Sequence, residues 1–286
     1  MRQTWLFFSL PMLLAAAPAT ADQSLKTSTV SASYSLAFWD IPFGHMQYSG
    51  VLRGGSYSTR AHFETQGLIG FFWRSIIDAT ALGNIEPHGV EPQIYDSYSR
   101  YRDHPLQRVT LTFTNDDPIV FTDPPVNISK HPVPEEQRKD TVDPMSALTA
   151  VLVGAKADKD SPCGTGAQVF DGRRRYDIRL TYLKDEPVTL DNGQERASAH
   201  LCQLSFIPIA GYPQKIVAHR HPPRMFADFV DLPDAAAPNG RYVVPVKLWS
   251  ELNLGTVVAT LQTISLDGAA PAELAASKGT NGVRPM

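Results

Sequence analysis

The sequence is poor in cysteine, with two in 286 residues, and close to balanced in charge, its 26 basic and 29 acidic side chains leaving a net −3. Two cysteines are too few for a disulfide-built scaffold. The mild acidity argues against a nucleic-acid binder, which needs clustered cations to displace counterions from phosphates. Beyond residue 21 no apolar run approaches the roughly 20 residues that a bilayer core demands, so no later segment is read as a spanning helix. There is no Gly-X-Y period and no other fixed repeat, and 43% hydrophobic residues exclude disorder.

What is present begins with export. Arg2 precedes an apolar stretch, residues 5–17, broken only by Ser9 and Pro11, and Ala19-Thr20-Ala21 supply the small side chains that a signal peptidase needs before Asp22. Residues 1–21 therefore read as a signal peptide, and the protein as exported, into the periplasm of a bacterium. In that oxidising compartment Cys163 and Cys202 are better read as partners than as free thiols. A bridge between them is worth about 4 kcal/mol in the chain-entropy model. The rival reading, a thiol nucleophile or metal ligand, lacks a CxxC spacing.

After a polar leader at 22–33, short runs alternate apolar and polar residues between turn-forming clusters, which is the period of a half-buried strand. In residues 106–114, Val109, Leu111 and Phe113 point one way and Arg108, Thr110 and Thr112 the other. Further strands are expected at 34–41, 45–52, 57–66, 74–83, 173–183, 197–207, 241–249 and 256–266. Residues 143–154 break the pattern. Asp143 is placed as a helix N-cap and Pro144 at the first helical position, where its missing N–H costs nothing. The helix that follows is apolar on most sides and too short to cross a bilayer, so the protein's own sheet must cover it. The fold class is thus mainly β, a strongly curved antiparallel sheet, an open or half barrel, wrapped around one short apolar α-helix. One domain is expected over 34–266, with a Pro-rich linker at 117–139 and a loose tail at 267–286.

Catalytic signatures are absent. No GxSxG elbow occurs, and Ser146 is more economically a helix-capping residue than a nucleophile. His219 and His221 lack further ligands at metal-site spacing, while His45, His62, His88, His104, His131 and His200 are scattered singly, so no metal is expected. Gly164-Thr165-Gly166 lacks the strand and helix of a phosphate loop, and no cofactor is expected. Asp78, Glu64, Asp96 and Glu251 lie on or near strands and keep a carboxylate pair open. Two features can bind. Arg173 and Arg175 share a strand face with Asp177, and serve either as a guanidinium row for anions or as a neutralised ladder. Phe71, Phe72 and Trp73, like Tyr95, Tyr98 and Tyr101, fill the core or line an opening.

Several phrases together carry a resemblance: TQGLIGFFW at 65–73, TVDPMSALTAVL at 141–152, VFDGRRRYDIRLTY at 169–182, FIPIAGY at 206–212 and LGTVVATL at 254–261. The chain resembles the domain of unknown function 3108 family of exported bacterial envelope proteins, from about residue 34 to 266, most specifically in the Asp-Gly-Arg-Arg-Arg-Tyr-Asp phrase. The resemblance implies a compartment and an architecture rather than a reaction, and Cys163 and Cys202 look like the family's cysteine pair. By looser analogy the architecture is similar to lipoprotein carriers and related periplasmic envelope proteins. The expectation is a non-catalytic envelope protein with a lipid or an envelope protein as partner. The alternatives are a scaffold that uses the Arg-rich strand and a hydrolase of envelope polymers. N-terminal sequencing of the exported protein is expected to start at Asp22; a start at Met1 refutes cleavage.

Overall fold

The computed structural model describes residues 27–267 and 272–273, apart from 68–69, 71–72, 116, 128, 191–194, 219–222, 235–236 and 253. Seven strands come first: β1 (Thr27–Phe38), β2 (Ile41–Arg53), β3 (Ser56–Thr65), β4 (Ser75–Glu86), β5 (Gly89–Tyr101), β6 (Gln107–Thr114) and β7 (Asp117–Asp123). Helix α1 (Pro144–Leu152) follows. The second run comprises β8 (Gly166–Phe170), β9 (Arg175–Leu190), β10 (Glu195–Ala210), the short helix α2 (Gln214–Ala218), β11 (Arg224–Pro233), β12 (Arg241–Leu252) and β13 (Gly255–Leu266). Each run is an antiparallel meander, and β1 pairs with β13 to join them into one sheet of order β7-β6-β5-β4-β3-β2-β1-β13-β12-β11-β10-β9-β8. A two-residue strand, β14 (Ala272–Glu273), pairs with β13 inside the expected tail. Among the described residues no helix is long and apolar enough to cross a membrane.

The sheet curls around α1, which packs against β3, β4 and β5 on one side and β8 and β12 on the other. Alternation in the strands dictates the curl's inner face: Tyr34, Tyr48, Tyr57, Ala79, Tyr95 and Leu111 all point into the core. Met145, Leu152 and Val153 meet them from the helix. A second cluster forms around Cys163 and Cys202, which are joined in a disulfide, with Leu180, Phe229 and Val243.

Several boundaries differ from the expectations. The leader's Thr27–Ser33 portion belongs to β1, because Ser28, Val30 and Ala32 alternate inward with small hydroxyl residues outward. The Pro-rich linker starts with a strand, β7, since Pro118 stands at a sheet edge where its missing N–H interrupts no ladder. Residues 89–101, for which no strand was expected, form β5, on which Tyr95 and Tyr98 face opposite sides. The turn after β1 is Trp39-Asp40, both residues left-handed (φ 50° and 62°), which matches the twist of a two-residue hairpin. Most of the Arg run is not strand: Arg173 and Arg174 sit in the β8–β9 turn, and β9 starts at Arg175.

That turn closes the seam between the edge strands. Asp171 accepts from the backbone N–H groups of Arg173 and Arg174 at 2.9 and 2.7 Å, and Gly172 (φ +88°) is buried against Val109, Leu111 and Val120 of β6 and β7. A Cβ there would strike the Val109 side chain, and the left-handed backbone disfavours any L side chain. Gly172→Ala is expected to cost roughly 2 kcal/mol in urea unfolding. Gly89→Ala, which meets open space, is expected to stay within about 0.5 kcal/mol.

Candidate functional site

The helix is held in its seat by polar groups. Asp143, fully buried, accepts from the Met145 and Ser146 backbone N–H groups at 2.9 Å each through Oδ1, and its Oδ2 accepts a short hydrogen bond from Ser146 Oγ. Tyr57 Oη of β3 is 2.6 Å from Ser146 Oγ, and Tyr48 Oη of β2 is 3.4 Å from Thr149 Oγ1. Asp143 and Pro144 thus occupy the capping positions expected of them. With the carboxylate ionised, donation runs in one direction, Tyr57 to Ser146 to Asp143. Such a chain could activate a serine, but Ser146 is wholly enclosed, so no substrate reaches it. At the other end Asn239 donates to the Val153 carbonyl at 2.8 Å, and Gly154 (φ +63°) turns the chain out of the helix. One flank, at Ala150 and Val151, borders a mixed polar depression of about 300 Å³ that reaches Lys156 and Asp140.

Several exposed apolar side chains lie at one end of the sheet, while others, Ile119 and Phe121 of β7 among them, lie along the strands. The β1–β2 and β12–β13 turns lie side by side at one end of the barrel, with Trp39 N–H donating to Thr256 O at 3.2 Å. There Trp39 is 64% exposed, Ile41 53% and Leu254 76%. Strand directions bring the β3–β4, β5–β6, β8–β9 and β10–β11 connections to the same end. Those connections and the adjoining strand ends add Trp73 (58% exposed), Tyr101, Leu106 and Ile216. Cations are interleaved with them: the Arg102 guanidinium lies 5.2 Å over the Trp73 ring, Arg174 lies 5.7 Å over Tyr212, and Arg74 and Arg173 are exposed. The result is a rim of tryptophan, aliphatic and arginine side chains.

Of the residues singled out in the sequence, Trp73 and Arg173 belong to this rim, whereas Phe71 and Phe72 lie outside the described residues, as do His219 and His221. Arg175 does not belong to it. It is buried, with Nη1 2.5 Å from Asp177 Oδ1 two residues along the same strand, and its cross-strand partners, Phe170 and Ala210, carry no charge. Of the four acids, Asp96 is bound by Arg108 at 2.9 Å and Glu251 by Arg224 at 3.1 Å, while Glu64 and Asp78 stand on either side of His62. Sequence reasoning missed Trp39 and Leu254, which look like isolated turn residues until β1 and β13 pair. It also missed a cleft of about 390 Å³ lined by Tyr182, Asp185, His200, Asp231 and Arg241. His200 Nδ1 is 2.6 Å from Asp185 Oδ1, and Nε2 is 3.8 Å from Asp231 Oδ2. The hydrogen bond from His200 lowers the pKa of Asp185. His200 thus has one ring nitrogen hydrogen-bonded to a carboxylate and a second carboxylate near the other.

With the barrel and its seam described, the match to a family model over residues 33–262, most of the chain, completes the picture; its description is "Protein of unknown function (DUF3108)". The chain belongs to the DUF3108 family. No curated protein matches it. The crystal structure of a beta-barrel-like protein of domain of unknown function DUF1849 from Brucella abortus is similar at 11% identity and a TM-score of 0.46, covering 83% of this chain and 97% of that one.

Burial raises the pKa of Asp143 to about 6, and burial, then the neighbouring Glu186 carboxylate, raises that of Asp228 to about 6. Between about pH 4 and pH 6 the folded state therefore binds more protons than the unfolded chain. The stability contributed by these groups is full below pH 4 and lost as pH rises through 6, by about 3 kcal/mol for Asp143. The urea midpoint should fall over that window. Asp143→Asn, which keeps the Oδ1 acceptor, should remove the Asp143 share of the slope; an unchanged slope would contradict the assignment.

Proposed function

We propose that this DUF3108 protein is an exported, non-catalytic protein of the bacterial envelope that binds acyl lipid with an anionic headgroup at the rim of its half-barrel. The observation that carries the reading is the rim itself. Exposed tryptophan and aliphatic side chains from separate turns converge at one end, interleaved with arginines, on a chain whose net charge is −3. Tryptophan and arginine together suit the boundary between headgroups and acyl chains, and clustered exposed apolar surface marks an interaction site. The tyrosine-lined interior is occupied by α1, so the reading puts the lipid against the end of the barrel rather than within its curve. The signal-like sequence of residues 1–21 supports the export clause, and the enclosure of Ser146 supports the non-catalytic one.

Two sources present such an acyl chain, a bilayer and the anchor of a lipoprotein, and the test separates them. The purified protein is sedimented with phosphatidylglycerol vesicles and with phosphatidylcholine vesicles, and titrated with a triacylated lipopeptide. Binding to the anionic vesicles or to the lipopeptide, weakened at least tenfold by the paired substitutions Trp73→Ser and Leu254→Asp, is the expected result. A protein that binds neither probe, or a substituted protein that binds as tightly as the parent, overturns the reading.

A further inference from the structure

On the outer face of the first meander the strand register assembles a group that the sequence scatters over 34 positions, His45 to Asp78. His45 of β2 stands directly opposite Glu64 of β3, His62 lies two residues before Glu64 on the same face, and Asp78 of β4 stands directly opposite His62. One donor atom from each of His45, His62 and Glu64 lies within 4.8 Å of the other two. His62 Nε2 is 4.0 Å from Glu64 Oε2.

Two further observations fit a ligand set rather than a surface ion pair. His62 Nδ1 is 2.9 Å from Asp78 Oδ1, a contact that orients the ring with Nε2 toward Glu64. This is the outer support that metal-bound imidazoles ordinarily have. His45 Nδ1 is shut off from solvent and has no hydrogen-bond partner, which is an unfavourable state for a ring nitrogen. Beside the group, Gln47, Ser49, Arg60 and His62 line a polar depression of about 300 Å³ that gives access from solvent.

From this geometry we infer that His45, His62 and Glu64 form a binding site for a zinc-class divalent transition metal, with Asp78 as positioning residue. Two imidazoles and one carboxylate are a borderline-soft donor set that suits such ions and not calcium or magnesium. Zinc bonds of about 2.0–2.2 Å place tetrahedral donors roughly 3.4 Å apart, so side-chain shifts of less than about 1 Å complete the shell. Three protein ligands leave one position toward the depression for water or a small anion. The inference does not rest on lipid binding at the rim.

The untagged protein, stripped with chelator, is titrated with Zn²⁺ by calorimetry and with Co²⁺ by visible absorption. One saturable equivalent with the d–d bands of four-coordinate Co²⁺ is expected. His62→Gln and Glu64→Gln should each weaken binding at least 100-fold, and Asp78→Asn by 10–100-fold. Far-UV circular dichroism checks that each variant is folded. Absence of a stoichiometric equivalent in the parent protein overturns the site, as does undiminished binding in folded His62→Gln. So does loss of the equivalent when His219 and His221, rather than His62, are replaced.

Discussion

The architecture depends on the cap of one short helix. A nine-residue helix has too few internal hydrogen bonds to persist alone, and an end buried without partners would leave several backbone groups unsatisfied. Asp143 meets two of those donors from within the core, and Val142 just before it bonds to β8 on both sides, with N–H to Gln168 O and O from Phe170 N–H at 2.9 Å each. Tyr48 and Tyr57 then tie the same turns to β2 and β3. The helix thus cross-links the two meanders through specific polar contacts, where apolar packing alone would allow it to slide or rotate. That accounts for a carboxylate at the helix seat, among buried tyrosine and aliphatic side chains.

Much of this was legible in the sequence because it is local. Asp143 and Pro144 announce a helix start by their chemistry, and Val109, Leu111 and Phe113 announce a buried face by alternation. Local signals failed where tertiary context decides. β7 hides behind Pro118 because an edge strand tolerates the missing donor. The Arg173-Arg174-Arg175 run looks like one strand face, yet Gly172 and the Asp171 side chain bend the first two arginines into a turn and leave only Arg175 in the sheet. The Asp171-Gly172-Arg173-Arg174 phrase owes its form to this closing turn: a carboxylate to bond the turn's N–H groups, a glycine to pass under Val109, and two exposed arginines.

Sites assembled across strands were the least visible. Trp39 and Leu254 are separated by most of the chain, and nothing in either neighbourhood shows that β1 and β13 pair. His45, His62, Glu64 and Asp78 lie closer in sequence, but their convergence depends on the register of two hairpins, and a slip of one residue would place half of them on the inner face. The rim, the cleft at His200 and the outer-face histidines are properties of the closed sheet. No single segment carries them.

The pairing of β1 with β13 has a consequence for biogenesis. As the chain is made, β1 has one permanent neighbour available early, β2, and must wait for the other until residue 266 has followed. Through that interval the leading strand presents an unsaturated edge of backbone donors and acceptors, and Val30, Ala32 and Tyr34 lack the opposing half of their core. Contacts so distant along the chain make closure slow relative to the local hairpins. The serine- and threonine-rich outer face of β1, with no long apolar run, suits a segment that has to remain soluble and unjoined until its last partner arrives.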